Sequence, residues 1–428
     1  MQRFLLVILM SIFGIGCDAE KESDDQDWRT DDTASAGDWG GSGGSDIFGG
    51  SGDGGESGGE TGGETGGETG GETGGETGGE NGGENGGETG GETGGETGGE
   101  TGGEVTYDGQ ITGRVCDPSG AEEEGWVVDA YVYVNYDSDG DGVDEARSED
   151  LTDESGRFRI DGLPTGRDYT VYVVKGSFET TYDVTLTTGT HEIPEDECRL
   201  EPPNIAVISG DYDHIEDIIN EMGLEYTVYA GTWGSTEFRD FLQDPVAMAE
   251  FDIIFFNCGV ASTWMSSEVE EHLITENIGS FVSNGGSIYV SDWAYSFVEL
   301  TFPAKIDFYG DDSESGSPMV GREGMVSANV IDPIIQAIIG GVSADINFDL
   351  PMWVVMEELG SGVSPLLEAN IEVSDSYGGF TSMADNPIAV EFDFGDAGGQ
   401  VIYTAFHNEH AATTLDMTDI LEEFILRL

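Results

Sequence analysis

The chain has 428 residues, and its 14 Lys plus Arg stand against 87 Asp plus Glu, for a net charge of -73. That balance excludes nucleic acid as a partner and an anionic bilayer surface as a docking site, because phosphate is held by clustered Lys and Arg. The length exceeds one ordinary domain, four cysteines are too few for a disulfide scaffold, and their spacing fits no zinc ribbon.

The chain opens with Arg3, a nearly unbroken apolar run from Phe4 to Phe13, and then Gly14, Gly16 and Cys17. A basic start, a short apolar stretch and small residues predict a signal peptide over 1–16, too short to span a bilayer permanently. Cys17 directly behind those small residues resembles the bacterial lipobox, with Gly14 where that motif usually carries Leu. The resemblance implies lipidation of Cys17, with acyl chains that bury enough methylenes for stable anchoring. The expected place is then the cell envelope, at the outer membrane or cell surface rather than the inner membrane. An ordinary cleaved signal with a chance cysteine is the alternative.

From 17 to 105 the sequence holds Asp, Ser and Gly and then repeats Gly-Gly-Glu-Thr, with Asn81 and Asn85 as variants. Gly maximises backbone freedom and Glu repels itself, so this acidic stretch predicts a disordered tether. A period of four without an apolar residue builds no solenoid. Fully extended, at roughly 3.3 Å per residue, it reaches on the order of a few hundred ångström.

Over 106–202 short runs alternate. Ile111, Gly113 and Val115 share one face; Val128, Ala130, Val132 and Val134 share another; Phe158 with Ile160, and Tyr169 with Val171 and Val173, continue the pattern. Period two with turn residues between predicts an antiparallel, all-β sandwich. Thr152-Asp153-Glu154-Ser155-Gly156-Arg157-Phe158, then Gly162-Leu163-Pro164-Thr165-Gly166 and Tyr169-Thr170-Val171, resemble the carboxypeptidase regulatory-like domain. That family has an Ig/transthyretin-like sandwich and serves as a structural or adhesive accessory. Cys116 and Cys198 bracket the segment, and export to an oxidising compartment makes a disulfide between them the expectation, worth about 4 kcal/mol in the chain-entropy model. Two buried thiols are the alternative.

Asp137-Ser138-Asp139-Gly140-Asp141-Gly142 sets oxygens at alternate positions before a turn glycine, as a calcium loop begins, with Asp137, Asp139 and Asp141 as candidate ligands. Ser148 stands where a bidentate Glu should close the loop, although Asp144, Glu145 and Glu149 are near. Calcium as a cofactor and a plain acidic hairpin loop both stay open.

The texture changes over 203–428. Strands are predicted at 205–208, 226–229, 251–256, 288–290 and 400–406, with helices at 214–222, 267–283 and 416–428. Near-continuous apolar strands alternating with helices predict an α/β doubly wound parallel sheet, whose sites lie at the carboxyl ends of the strands. Asp252 to Gly259, Gly285 to Ala294 and Ala405 to Glu409 resemble, in that order, three strand ends of the class I glutamine amidotransferase-like superfamily, which is flavodoxin-like in architecture. The resemblance implies an oxyanion turn near Cys258, a nucleophile elbow at Ser291 and Asp292, and a His and Glu pair at His407 and Glu409.

The elbow departs from the family. It holds Ser291 and Asp292 in place of a nucleophilic cysteine, and the glycines of Gly-x-Cys-x-Gly are missing. Without a thiolate there, acyl transfer from an amide lacks its attacking group. Three readings follow: a non-catalytic binding head, a hydrolase or amidase using Cys258 with His407 as base, and a structural or adhesive surface protein. Asp211, Asp213, His214, Asp292, His407 and His410 are the residues that strand ends would gather into a metal or sugar site, and Trp293, Tyr295 and Trp264 are the aromatic residues that either stack on a sugar or pack at the sheet edge. The partners expected are a membrane, through the lipid anchor, and an extracytoplasmic glycan or protein.

Overall fold

The computed structural model of the chain describes residues 106–120, 125–139, 141–232, 234–260, 267–310, 318–374, 379–409 and 412–428. The predicted signal peptide, Cys17, the tether, Trp264 and His410 lie outside the described residues. No helix among those described is long and apolar enough to cross a membrane.

The first unit is built from β1 (Gly109–Arg114), β2 (Tyr131–Tyr136), β3 (Ala146–Leu151), β4 (Arg157–Leu163), β5 (Arg167–Lys175), β6 (Phe178–Leu186) and β7 (Thr190–Glu192). Two sheets, β4-β1-β7 and β3-β2-β5-β6, face each other. Pairing is antiparallel except between β1 and β7, which run parallel. Strand alternation puts Ile111, Val132, Val134, Ile160, Val171 and Val173 between the sheets. Val127, rather than Val128, joins Ala130 in that core. Asp129 between them has φ +59°, and this left-handed residue shifts the alternation by one position. Gly156 has φ +69°, and a Cβ there would sit 2.6 Å from the Val115 carbonyl oxygen, so the turn into β4 needs glycine. The Cys116 and Cys198 sulfurs lie 2.09 Å apart, with Cα atoms 5.2 Å apart.

The second unit begins with β8 (Ile205–Ser209), α1 (Ile215–Glu221), β9 (Tyr226–Ala230), α2 (Glu237–Leu242), α3 (Pro245–Met248), β10 (Ile253–Phe256), α4 (Glu268–Ser283), β11 (Ser287–Ser291) and α5 (Ser296–Thr301). A β-rich excursion follows: β12 (Ile306–Phe308), β13 (Val320–Gly321), β14 (Gly324–Val330), α6 (Pro333–Ile338), β15 (Ser343–Phe348), β16 (Trp353–Val354), β17 (Met356–Leu359), β18 (Ser364–Ser374) and β19 (Phe380–Phe394). The chain closes with β20 (Gly399–Thr404) and α7 (Leu415–Arg427).

The main sheet runs β15-β14-β18-β19-β20-β11-β10-β8-β9. Its half from β20 to β9 is parallel, and its strands in chain order take the flavodoxin-like positions 2-1-3-4-5. The other half is antiparallel, which the expectation of a wholly parallel sheet missed. Burial explains the split. All four residues of β10 are buried, as a strand covered on both faces requires, whereas β18 and β15 largely alternate buried with exposed residues. The two longest helices have side-chain N-caps: Ser267 accepts from Glu270 N–H to start α4, and Thr414 accepts from Met417 N–H to start α7.

The two units share a boundary built on α7. Lys175 Nζ meets Glu423 Oε1 at 2.9 Å with both side chains buried, and Ser177 Oγ donates to the Leu428 carbonyl at 2.6 Å. Arg427 reaches Asp332 at 3.0 Å, Glu391 at 3.1 Å and Glu423 at 3.1 Å.

Candidate functional site

Parallel strands end on one side of the sheet, so the residues following β8, β10, β11 and β20 must meet there. Tight backbone contact between these loops is visible at Gly210, where a Cβ would stand 1.9 Å from the Cys258 carbonyl oxygen. Asp213 follows β8, Cys258 follows β10, Ser291 ends β11, Asp292 turns off it, and His407 and Glu409 follow β20. All but Glu409 are buried.

Asp292 makes the elbow with φ +41°, a conformation that Asp tolerates better than most residues but at a cost of order 1–3 kcal/mol. Its surroundings hold it there. Oδ1 accepts from Val354 N–H at 2.8 Å, Oδ2 accepts from the Cys258 thiol at 3.4 Å, and its backbone oxygen accepts from Tyr403 Oη at 3.1 Å. Complete burial pushes the Asp292 carboxyl well above the usual carboxylate range, against the pull of the Val354 amide.

Ser291 Oγ accepts from Cys258 N–H at 2.8 Å and donates to Asp213 Oδ2. Asp213 Oδ1 in turn accepts from Asn408 N–H at 3.2 Å, so one carboxyl ties β11 to the segment after β20. Burial pushes Asp213 up to about 7, with the Glu216 charge adding to it and the Ser291 hydroxyl opposing. Asn257 Nδ2 donates to the Asp213 carbonyl at 3.1 Å, and Asn408 Nδ2 donates to the His214 carbonyl at 2.6 Å.

Cys258 Sγ, an Asp292 carboxylate oxygen and a His407 ring nitrogen fall within 4.8 Å of one another. The thiol nevertheless points at Asp292 and has no exposed surface. Burial, and next the neighbouring Asp292 charge, push it well above the ordinary thiol range. A sulfur so placed is held as a thiol, not a thiolate nucleophile.

His407 is 5% exposed, and neither ring nitrogen has a hydrogen-bond partner among the described residues. Nδ1 lies 3.7 Å from Asp292 Oδ2; Nε2 lies 3.7 Å from Asp349 Oδ1 and 3.8 Å from Glu409 Oε2. Desolvation brings its pKa down to about 4, so the imidazole is neutral at neutral pH.

Sequence reasoning gathered Asp213, Cys258, Ser291, Asp292, His407 and Glu409, and the structure places them together. It does not place Asp211 among them: that residue is exposed on the loop. His214 sits at the start of α1 with its ring 3.8 Å from Glu216. Trp293 is half-buried, and its Nε1 donates to the Met352 carbonyl at 2.9 Å. Asp349 and Val354 were missed. Both come from the β-rich excursion, where nothing in the local sequence separates Asp349 from the chain's many other acidic residues.

In the sandwich, carboxylate oxygens of Asp137, Asp139, Asp141 and Glu145 lie within 4.8 Å of one another. Glu145 Oε1 accepts from Ser138 N–H at 2.6 Å and from its hydroxyl, and these bonds lower its pKa. Ser148 faces elsewhere, donating to the Asp161 carbonyl at 3.0 Å.

No protein-family model matches the chain, and no curated protein matches it. Among solved structures it is similar to a glutamine amidotransferase from Thermotoga maritima, at 11% identity and TM-score 0.31 over 48% of this chain and 75% of that one. A glutamine amidotransferase from Methylobacillus flagellatus gives 12% identity and TM-score 0.33 over 49% and 70% of the two chains. PurLQS from Thermotoga maritima gives 10% identity and TM-score 0.32 over 53% and 98%. These are likenesses to amidotransferase-type folds at low score; the architecture stated above rests on strand order and the chemistry on the residues.

Proposed function

We propose that the chain is an exported protein, anchored by a lipid on Cys17, whose acidic tether holds the head clear of the outer membrane or cell surface. The α/β unit binds a ligand at the carboxyl edge of its sheet and does not catalyse amide transfer. One observation carries the second half of this reading. The elbow is filled by a buried Asp292 that accepts the Cys258 thiol, so neither side chain is free to attack a substrate. The ligand class that suits the rim is carbohydrate: half-buried Trp293 and exposed Tyr212 follow the ends of β11 and β8, where ring faces can stack on a sugar, and part-exposed Asp349 and Glu409 can accept from its hydroxyls.

The test is capture of the full chain on an array of surface polysaccharides, alongside amide and ester hydrolysis assays. The reading expects saturable capture that Trp293→Ala weakens and Cys258→Ser leaves intact. Hydrolysis by the parent protein that Cys258→Ser abolishes would replace it with the cysteine hydrolase.

A second reading concerns the sandwich, where we infer calcium as a structural ion. The convergence of Asp137, Asp139, Asp141 and Glu145 supports it, with Glu145 supplying a carboxylate earlier than the expected closing position.

A further inference from the structure

We propose that His407 Nε2, Asp349 and Glu409 bind a divalent transition-metal ion of the zinc class at the carboxyl edge of the sheet. The inference is independent of the carbohydrate reading, which survives if no metal binds.

The donor set comes first. A neutral imidazole and two carboxylates are what zinc-class ions take, and an all-oxygen set would instead suit calcium or magnesium. Spacing comes second. Ligand atoms at roughly 2.0–2.2 Å from a tetrahedral ion lie about 3.4 Å from each other. Nε2 stands 3.7 Å from Asp349 Oδ1 and 3.8 Å from Glu409 Oε2, a few tenths of an ångström beyond that value and outside hydrogen-bond range.

The independent observation is polar satisfaction. His407 is 4% exposed at its side chain, and both its ring nitrogens and Glu409 Oε2 are buried without a hydrogen-bond partner among the described residues. Such groups cost on the order of 1–3 kcal/mol each and call for a partner. Among the described residues no Lys or Arg pairs with Asp349 or Glu409, and each carboxylate stands beside His407 Nε2. A cation between the three would satisfy Nε2 and Glu409 Oε2 together.

The outer shell fits as well. Nδ1 faces Asp292 Oδ2 at 3.7 Å, and Asp292 is itself pinned by Val354 and Cys258. A shortening of that 3.7 Å approach on metal binding would let Nδ1–H donate to Asp292 and fix the tautomer that leaves Nε2 for the metal. On the near side, Asp349 and Glu409 keep 20% and 35% of their side-chain surface, which gives the ion an entry path and leaves coordination positions open.

The test uses Co2+ as a spectroscopic probe on the full chain, with Zn2+ as competitor. Cobalt held by the tether carboxylates alone is octahedral and absorbs weakly, so a strong visible d–d spectrum reports the histidine site. The expected result is a strong band that saturates at one equivalent and is displaced by Zn2+. Asp349→Asn with Glu409→Gln should weaken Co2+ binding roughly 100-fold or more. Both positions are part-exposed, and an unchanged melting curve without metal verifies that the double variant is folded. No strong band in the parent, or the same band in that variant, overturns the site. If the metal fails while glycan capture persists, the carbohydrate reading stands by itself.

Discussion

Among the described residues, ionisable side chains are buried around α7 and at the carboxyl edge of the sheet, and the two clusters are treated in opposite ways. Around α7, Arg427 is shared by Asp332, Glu391 and Glu423, and Lys175 closes on Glu423, so every buried charge faces an opposite one at hydrogen-bond distance. At the carboxyl edge of the sheet, His407 faces three carboxylates, each 3.7 to 3.8 Å away, and bonds to none. The first cluster is a closed set whose work is to hold α7 between the units. The second carries polar groups left unmet by the protein itself, beside an elbow residue in a left-handed conformation. Stability accounts for the first and not the second, and that asymmetry supports the proposal that the strand ends are the functional edge.

The largest effect expected from this contrast is at Arg427. Arg427→Met leaves Asp332 and Glu423 buried with fewer partners and should cost about 3–5 kcal/mol, read from the denaturant midpoint of the full chain. A loss below about 1 kcal/mol would show that the α7 cluster is as dispensable as a surface pair.

Next is the pH dependence from Asp213. Its carboxyl rises from 3.8 to about 7 on folding, so between those values the folded state binds more protons than the unfolded one. Stability should therefore fall as pH rises through that window, by about 4 kcal/mol in total, and Asp213→Asn should flatten the fall. A profile indifferent to Asp213→Asn would mean that the group is not buried as described.

Calcium gives a smaller effect. At a tenfold excess over Kd it should stabilise the protein by about 1.4 kcal/mol, with Glu145→Gln reducing the gain. A melting temperature unmoved by calcium leaves the loop as an acidic hairpin.

The smallest effect tests the contrast from its other side. His407→Leu removes two unmet nitrogens and should cost less than about 1 kcal/mol or even stabilise the metal-free protein. A cost like that of Arg427→Met would make His407 a structural residue.

The sequence was most legible where physics is local. The continuous apolar runs of β8, β10 and β11 and the capped α4 and α7 were found within a few residues, and strand order then brought Asp213, Cys258, Ser291, Asp292 and His407 together. The 2-1-3-4-5 half of the sheet was thus readable. Its antiparallel half was not, because β14, β15, β18 and β19 alternate in a way that any one-faced strand shares. Asp349 was invisible for a related reason: only long-range packing brings it opposite His407. The shift at Val127 turned on one backbone angle at Asp129, which no hydrophobic pattern reports.

The proposal that the carboxyl edge of the parallel strands binds a ligand without cysteine chemistry is tested most directly by the reactivity of Cys258. Cys258 is the free thiol among the described residues, so alkylation of the folded full chain at neutral pH can be followed by mass spectrometry. The account predicts that Cys258 is modified only when the protein unfolds, at a rate that tracks unfolding. Rapid alkylation of the folded protein, with loss of an amide-hydrolysing activity in step, would contradict it and restore Cys258 as a nucleophile.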